Sequence, residues 1–72
     1  MKPGDLRRFR DSLTALGLRA DHFEGGTFVV LEVSGRVGAE PTRVDILIGG
    51  RCETDLGYHW VRDNSEVLNA AG

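Results

Sequence analysis

The sequence has little of what most stabilised or catalytic small proteins rely on. Its 72 residues contain one cysteine, one methionine, one tyrosine, one tryptophan and two histidines. One cysteine cannot close an internal disulfide, so no disulfide framework holds this chain. Two histidines and one cysteine leave few ligands for a metal, which needs three or four converging donors. No C-x-x-C pair and no H-x-x-x-H spacing occurs. The longest apolar run is Phe28 to Leu31, far short of the ~20 residues that cross a bilayer. The start MKPGDLRRFR is charged and lacks an apolar signal core, so a cytoplasmic location is expected. A lone cysteine agrees with a reducing compartment.

What is present describes one small folded domain spanning 1–72. The apolar fraction is 40% and the charged fraction 28%, which is too apolar for a disordered chain. A domain this short buries only about 60% of its unfolded surface, so a protein partner or a second copy is expected to contribute. The net charge of −2 is unevenly placed. Residues 1–20 hold five basic and two acidic side chains, and residues 21–72 hold four and nine.

Leu6, Phe9, Leu13 and Leu16 are spaced as one stripe of an amphipathic helix, which predicts a helix over 6–16. Asp5 stands where it caps the first amides, and Gly17 stands at the end. Residues 18–23 read as a weak strand or connector, and EGG at 24–26 as a turn. TFVVLEV at 27–33 and TRVDILI at 42–48 are strands by their β-branched content, with SGRVGAEP as the loop between them. Gly49 and Gly50 suit a tight hairpin. Residues 57–61 read as a further strand, with 51–56 as strand or loop. Asp63 and Glu66 resemble a capping box before a short C-terminal helix at 64–70. The expected fold is α+β: an N-terminal helix packed on a three- to four-stranded antiparallel sheet.

Strict alternation places Val29, Leu31 and Val33 beside Val44, Ile46 and Ile48 under that helix. It places Phe28, Val30, Arg43 and Leu47 on the opposite, mixed face. Those four residues are the candidate partner-binding site, an apolar centre with a charged surround. Arg7, Arg8 and Arg10 on the outer helix face, with Lys2 and Arg19, are the alternative, a contact to nucleic acid or to an acidic partner. The order α-β-β-β-α matches the double-stranded-RNA-binding fold. That fold uses a basic cluster at the start of its last helix, where this chain reads RDNSEV.

Catalysis finds little support. Cys52 and His59 are seven apart, so a regular strand puts them on opposite faces. Glu53 and Asp55 beside Cys52 oppose thiolate formation. Cys52, Tyr58 and Trp60 are expected in the core. Ser12, Ser34 and Ser65 lie in no nucleophile-elbow pattern, and the glycine pairs fit no phosphate loop. No catalytic residue, cofactor or metal is expected.

Two stretches resemble known families. MKPGDLRRFRDSLTALGLRADHFEGGTFVV resembles the start of HicA-type mRNA-interferase toxins, where M-K, a leucine-rich helix and a glycine precede G-S-H-H. Here that segment reads GGTF, so the family's catalytic histidine has no counterpart. LGLRADHFEGGTFVVLEV, RVDILI and GYHWV together are similar to bacterial ubiquitin-conjugating-enzyme-like proteins of the UBC/RWD fold. There a helix leads into a meander, a D-V-L-I-like strand and a G-Y-P turn. Here His59 stands in place of that proline, and Cys52 precedes the place of the family's catalytic cysteine. The resemblance implies a helix and meander without conjugating activity. The expected function is a non-enzymatic adaptor or inhibitor of the kind phages and mobile elements encode, acting by occluding a partner. The alternatives are an RNA-binding or toxin-antitoxin-type module and a degenerate ubiquitin-conjugating-like protein.

Overall fold

A computed structural model of the chain describes residues 1–11 and 23–71. Along them run β1 (Leu6–Phe9), β2 (Thr27–Val37), β3 (Glu40–Ile48), β4 (Arg51–Gly57), α1 (Tyr58–Asp63) and β5 (Ser65–Asn69). The strands form one sheet in the order β4-β3-β2-β1-β5, every neighbouring pair antiparallel. β4 and β5 are close in sequence yet occupy opposite edges. Helix α1 carries the chain from one edge to the other.

This overturns the α+β expectation of an N-terminal helix lying on the sheet. Leu6–Phe9 is itself a strand, held between β2 and β5. Helix propensities differ by only a few tenths of a kcal/mol per residue. Two flanking strands that satisfy the backbone of LRRF outweigh them. Leu6 and Phe9 then face opposite sides. Leu13 and Leu16, the rest of the expected stripe, and nearly all of the expected 18–23 segment lie outside the described residues.

The C-terminal expectation is also corrected. The helix comes at 58–63, where a strand was expected, and 65–69 is a strand, where a helix was expected. The hydrogen-bonding residues after Trp60 account for the stop. Asn64 donates from its backbone N–H and from Nδ2 to the Trp60 carbonyl, at 3.1 and 2.9 Å. Ser65 Oγ donates to the Val61 carbonyl at 2.6 Å. The last carbonyls of the helix are thus satisfied where the helix ends.

The β2–β3 pairing is much longer than the sequence suggests, because SGRVGAEP is mostly strand around a turn at Gly38 and Ala39. Gly35 makes this continuity work. Its φ of 65° is left-handed, and a side chain there would collide with Thr42 and Arg43 on β3. The Gly49–Gly50 turn joins β3 to β4 as expected, both residues having positive φ.

The core lies on one face of the sheet. Phe9, Phe23, Phe28, Val30, Val44, Ile46, Ile48 and Val61 are buried, with Met1, Val33, Leu56, Tyr58 and Trp60 packed around them. Phe9 is its centre. Its ring stacks on Phe23 at 5.2 Å and meets Phe28 at 4.5 Å and Trp60 at 5.8 Å. Val44, Ile46 and Ile48 face the core as expected. Their β2 partners begin as the other parity: Phe28 pairs with Ile48 and Val30 with Ile46. A bulge follows, in which Leu31 is the extra residue, and Val33 pairs with Val44. The bulge resets the alternation, so Val30 and Val33 both face inward although three apart.

Candidate functional site: the outer sheet face

The face opposite the core carries a second set of apolar residues. Leu6 pairs with Val29, Val29 with Leu47, and Leu47 with Cys52, so these four form a row across β1, β2, β3 and β4. Side chains of directly paired residues lie on the same face. Leu31, at the bulge, is 40% exposed, and Leu47 is 39% exposed. No residue of this row belongs to the buried core.

Charges surround the row. At one end Arg8 bonds Asp11 at 2.8 Å and lies 4.0 Å from Glu66. At the other, Glu32 pairs across the strands with Asp45, and Arg43 bonds Asp55 at 3.1 Å. Asp55 has a left-handed φ of 63° at a second bulge, and its N–H donates to Asp45 Oδ1 at 2.9 Å. The carboxylate of Asp45 thereby holds the bulged backbone of the edge strand.

The four residues proposed from sequence divide between the two faces. Leu47 and Arg43 are on the outer face. Phe28 and Val30 are each only 1% exposed, inside the core. Strict alternation holds within β3, but the first half of β2 turns the opposite parity, Phe28 and Val30, toward the core. Val29 and Leu31, assigned to the core, are the residues that replace Phe28 and Val30 on the outer face. The signal was available in composition: the larger aromatic, Phe28, is the better core residue of the two sets.

Arg7 and Arg10 come together at the junction of β1, α1 and β5, while Arg8 lies on the outer face beside Asp11 and Glu66. Arg7 donates from Nε to Ser65 Oγ at 2.9 Å, and from its terminal nitrogen to the carbonyls of Ser65 and Arg62 at 3.1 and 3.3 Å. Arg10 Nε donates to the Asp63 carbonyl at 3.3 Å. With Asn64 and Ser65, Arg7 and Arg10 supply the donors that satisfy the carbonyls at the end of α1. Cationic donors suit that end of a helix. Arg19 lies outside the described residues.

Cys52 is exposed on edge strand β4, not in the core as expected. Tyr58 and Trp60 are half-buried against the core, as part of the helix. His59, also on α1, faces Glu40 at 3.2 Å, and Cys52 and His59 form no pair. Among the described residues no three of His, Cys, Asp or Glu converge as metal ligands. His22 lies outside them. No helix among them is long and apolar enough to cross a membrane.

Asp5, expected as a helix cap, serves as a clasp between the chain ends. It is buried. One carboxylate oxygen accepts the Ala71 N–H at 2.7 Å and the other the Lys2 N–H at 2.8 Å. The Ala71 amide holds its carboxyl below the ordinary value. Burial opposes this, and the Lys2 amide and the charges of the N-terminal ammonium and Lys2 add to it.

Compared with family models, with curated proteins and with solved structures, the chain gives no match.

Proposed function

We propose that this chain is a non-enzymatic protein-binding module that acts as an adaptor or inhibitor by covering a partner's surface with its outer sheet face. The observation that carries this reading is the row Leu6, Val29 and Leu47, in register across three strands, with Leu31 beside it. An apolar centre inside a charged rim is the usual anatomy of a protein interface. Both signs are present in the rim, at Arg8 and Arg43 and at Glu32, Asp45 and Glu66. That mixture favours a protein surface over a polyanion. The arginines Arg7 and Arg10, the alternative contact, donate to carbonyls of the chain itself.

The test begins with capture of the partner from the host cell and its identification by mass spectrometry. Affinity is then measured with both proteins purified. The paired substitutions Leu31→Asp and Leu47→Asp should weaken binding at least 100-fold, since central apolar contacts carry most interface energy. Both residues are well exposed, so the fold should persist, and circular dichroism checks it. Unchanged affinity in a folded double variant removes the face from consideration.

A further inference from the structure

The five strands differ in how they are held. β1, β2 and β3 each place aromatic or β-branched side chains in the buried core, and β4 leans Leu56 against it. β5 places none there. Its one buried residue is Ser65, and Glu66, Val67, Leu68 and Asn69 are all exposed. Val67 and Leu68 remain 51% and 50% exposed, although they are its two apolar residues.

What holds β5 is polar. Its backbone pairs with β1, from Phe9 with Ser65 to Leu6 with Asn69. Arg7 grips the Ser65 hydroxyl and carbonyl at one end. Asp5 accepts the Ala71 N–H just beyond the other end. The Ser65 hydroxyl adds a bond to the Val61 carbonyl of α1, and Arg7 and Asp5 belong to β1 and the residue before it. These groups recognise backbone amides, backbone carbonyls and one serine hydroxyl. They would be as well satisfied by an identical segment from elsewhere.

The connection allows an exchange. A single residue, Asn64, separates α1 from β5. Its backbone, at φ −104° and ψ 14°, sets the direction in which the strand leaves the helix. Rotation about that one residue swings β5 away without moving an apolar core side chain. Elements that bury few apolar contacts are the ones that open first. Exchange of an identical element between copies preserves every contact made within one chain.

We infer that the edge of β1, with Arg7 and Asp5, is a strand-docking site, filled in this structure by residues 65–71 of the same chain and open to the same residues of a second copy. The partner is a second copy because its 65–71 segment matches the amide, carbonyl and hydroxyl positions that Arg7 and Asp5 already grip. The opposite edge is unlike it. β4 is interrupted by the Asp55 bulge and carries Arg51, Glu53 and Asp55, features that discourage strand addition. The inference is independent of the outer-face proposal, since it concerns an edge of the sheet.

The test uses the full chain with Cys52→Ser throughout. One preparation adds Arg8→Cys and another adds Glu66→Cys. Arg8 and Glu66 are directly paired, within the Cα separation that a disulfide spans. The two are mixed under mild oxidation and followed on non-reducing gels. A Glu32→Cys preparation mixed with the Glu66→Cys one is the control, because association through the outer face would cross-link that pair equally well. The 8–66 mixed dimer should form at least tenfold faster than the 32–66 dimer and the 66–66 dimer. Equal rates overturn the inference. Hydrogen exchange on the unmodified protein supplies the second measurement. Amides of β5 should exchange at least tenfold faster than those of the β2–β3 ladder. If β5 exchanges together with that ladder, the strand leaves only on global unfolding and the inference fails.

Discussion

Phe9→Ala should lower the stability of the protein by about 3–5 kcal/mol and move its urea midpoint far down. Phe9 is wholly buried and touches the rings of Phe23, Phe28 and Trp60. Truncating a buried phenylalanine costs about 3–5 kcal/mol, from lost transfer energy and from the cavity left behind. Small domains are stable by roughly 0.05–0.15 kcal/mol per residue, which puts a 72-residue chain at about 4–11 kcal/mol. The substitution therefore removes a large share of the total. It also acts where β1, β2, the turn beginning at Phe23 and α1 meet, so no single element can relax to fill the space. Urea unfolding followed by tryptophan fluorescence reads the effect directly, through Trp60 against the same ring. A midpoint within experimental error of the unmodified protein would mean that Phe9 is not the centre of the core.

Asp5→Asn should destabilise the protein by about 2 kcal/mol at neutral pH, and the difference should disappear in acid. Both carboxylate oxygens of Asp5 accept backbone N–H groups. An asparagine keeps one acceptor and turns a donor toward the other amide. Hydrogen bonds to charged groups contribute roughly 1.5–3 kcal/mol. The sign of the pH dependence follows from the lowered carboxyl. The folded chain prefers the ionised form more than the unfolded chain does. The stabilisation is therefore complete above the ordinary value of 3.8. It is lost as pH falls from there through the lower value of the folded state. Unfolding midpoints of both proteins at about pH 7 and at successive steps below 3.8 test this, the gap narrowing as pH falls. A gap that stays constant across the range would show that the carboxylate charge contributes nothing to the clasp.

Parts of this fold are written locally and parts are not. β2, β3 and the Gly49–Gly50 turn are legible because β-branched runs and paired glycines act through their own backbone. β1 is not. Leu6 and Phe9 have helical spacing, and only the strands on either side of them, one of which lies nearly sixty residues away, decide otherwise. Tyr58 to Asp63 contains residues common in strands, yet it is helical because it must join the two edges of the sheet over the core. The candidate site suffered from the same limit. Arg43 and Leu47 share the outer face because β3 alternates without interruption from Arg43 to Ile48. Alternation alone turns Val29 and Leu31 inward in place of Phe28 and Val30, since nothing in VVLEV announces that Leu31 is the extra residue of a bulge. The roles of Arg7 and Arg10 at the end of α1 depend on a helix that local sequence does not announce.

That extra residue has a consequence for how the chain can change length. A strand paired on both sides ordinarily tolerates no deletion, because losing one residue turns everything beyond it to the other face. Leu31 is an exception. Without it, Val30 and Glu32 would be neighbours, pointing inward and outward in turn, and Val33 would still face Val44. The regular ladder is therefore one deletion away, reached without turning any other side chain of β2 over. Loss of Val29 or Val33 instead would reverse part of the strand and carry charged residues such as Glu32 or Arg36 toward the core. Position 31 is where β2 can shorten by inheritance and keep both its faces, and the side chain it would give up belongs to the outer surface alone.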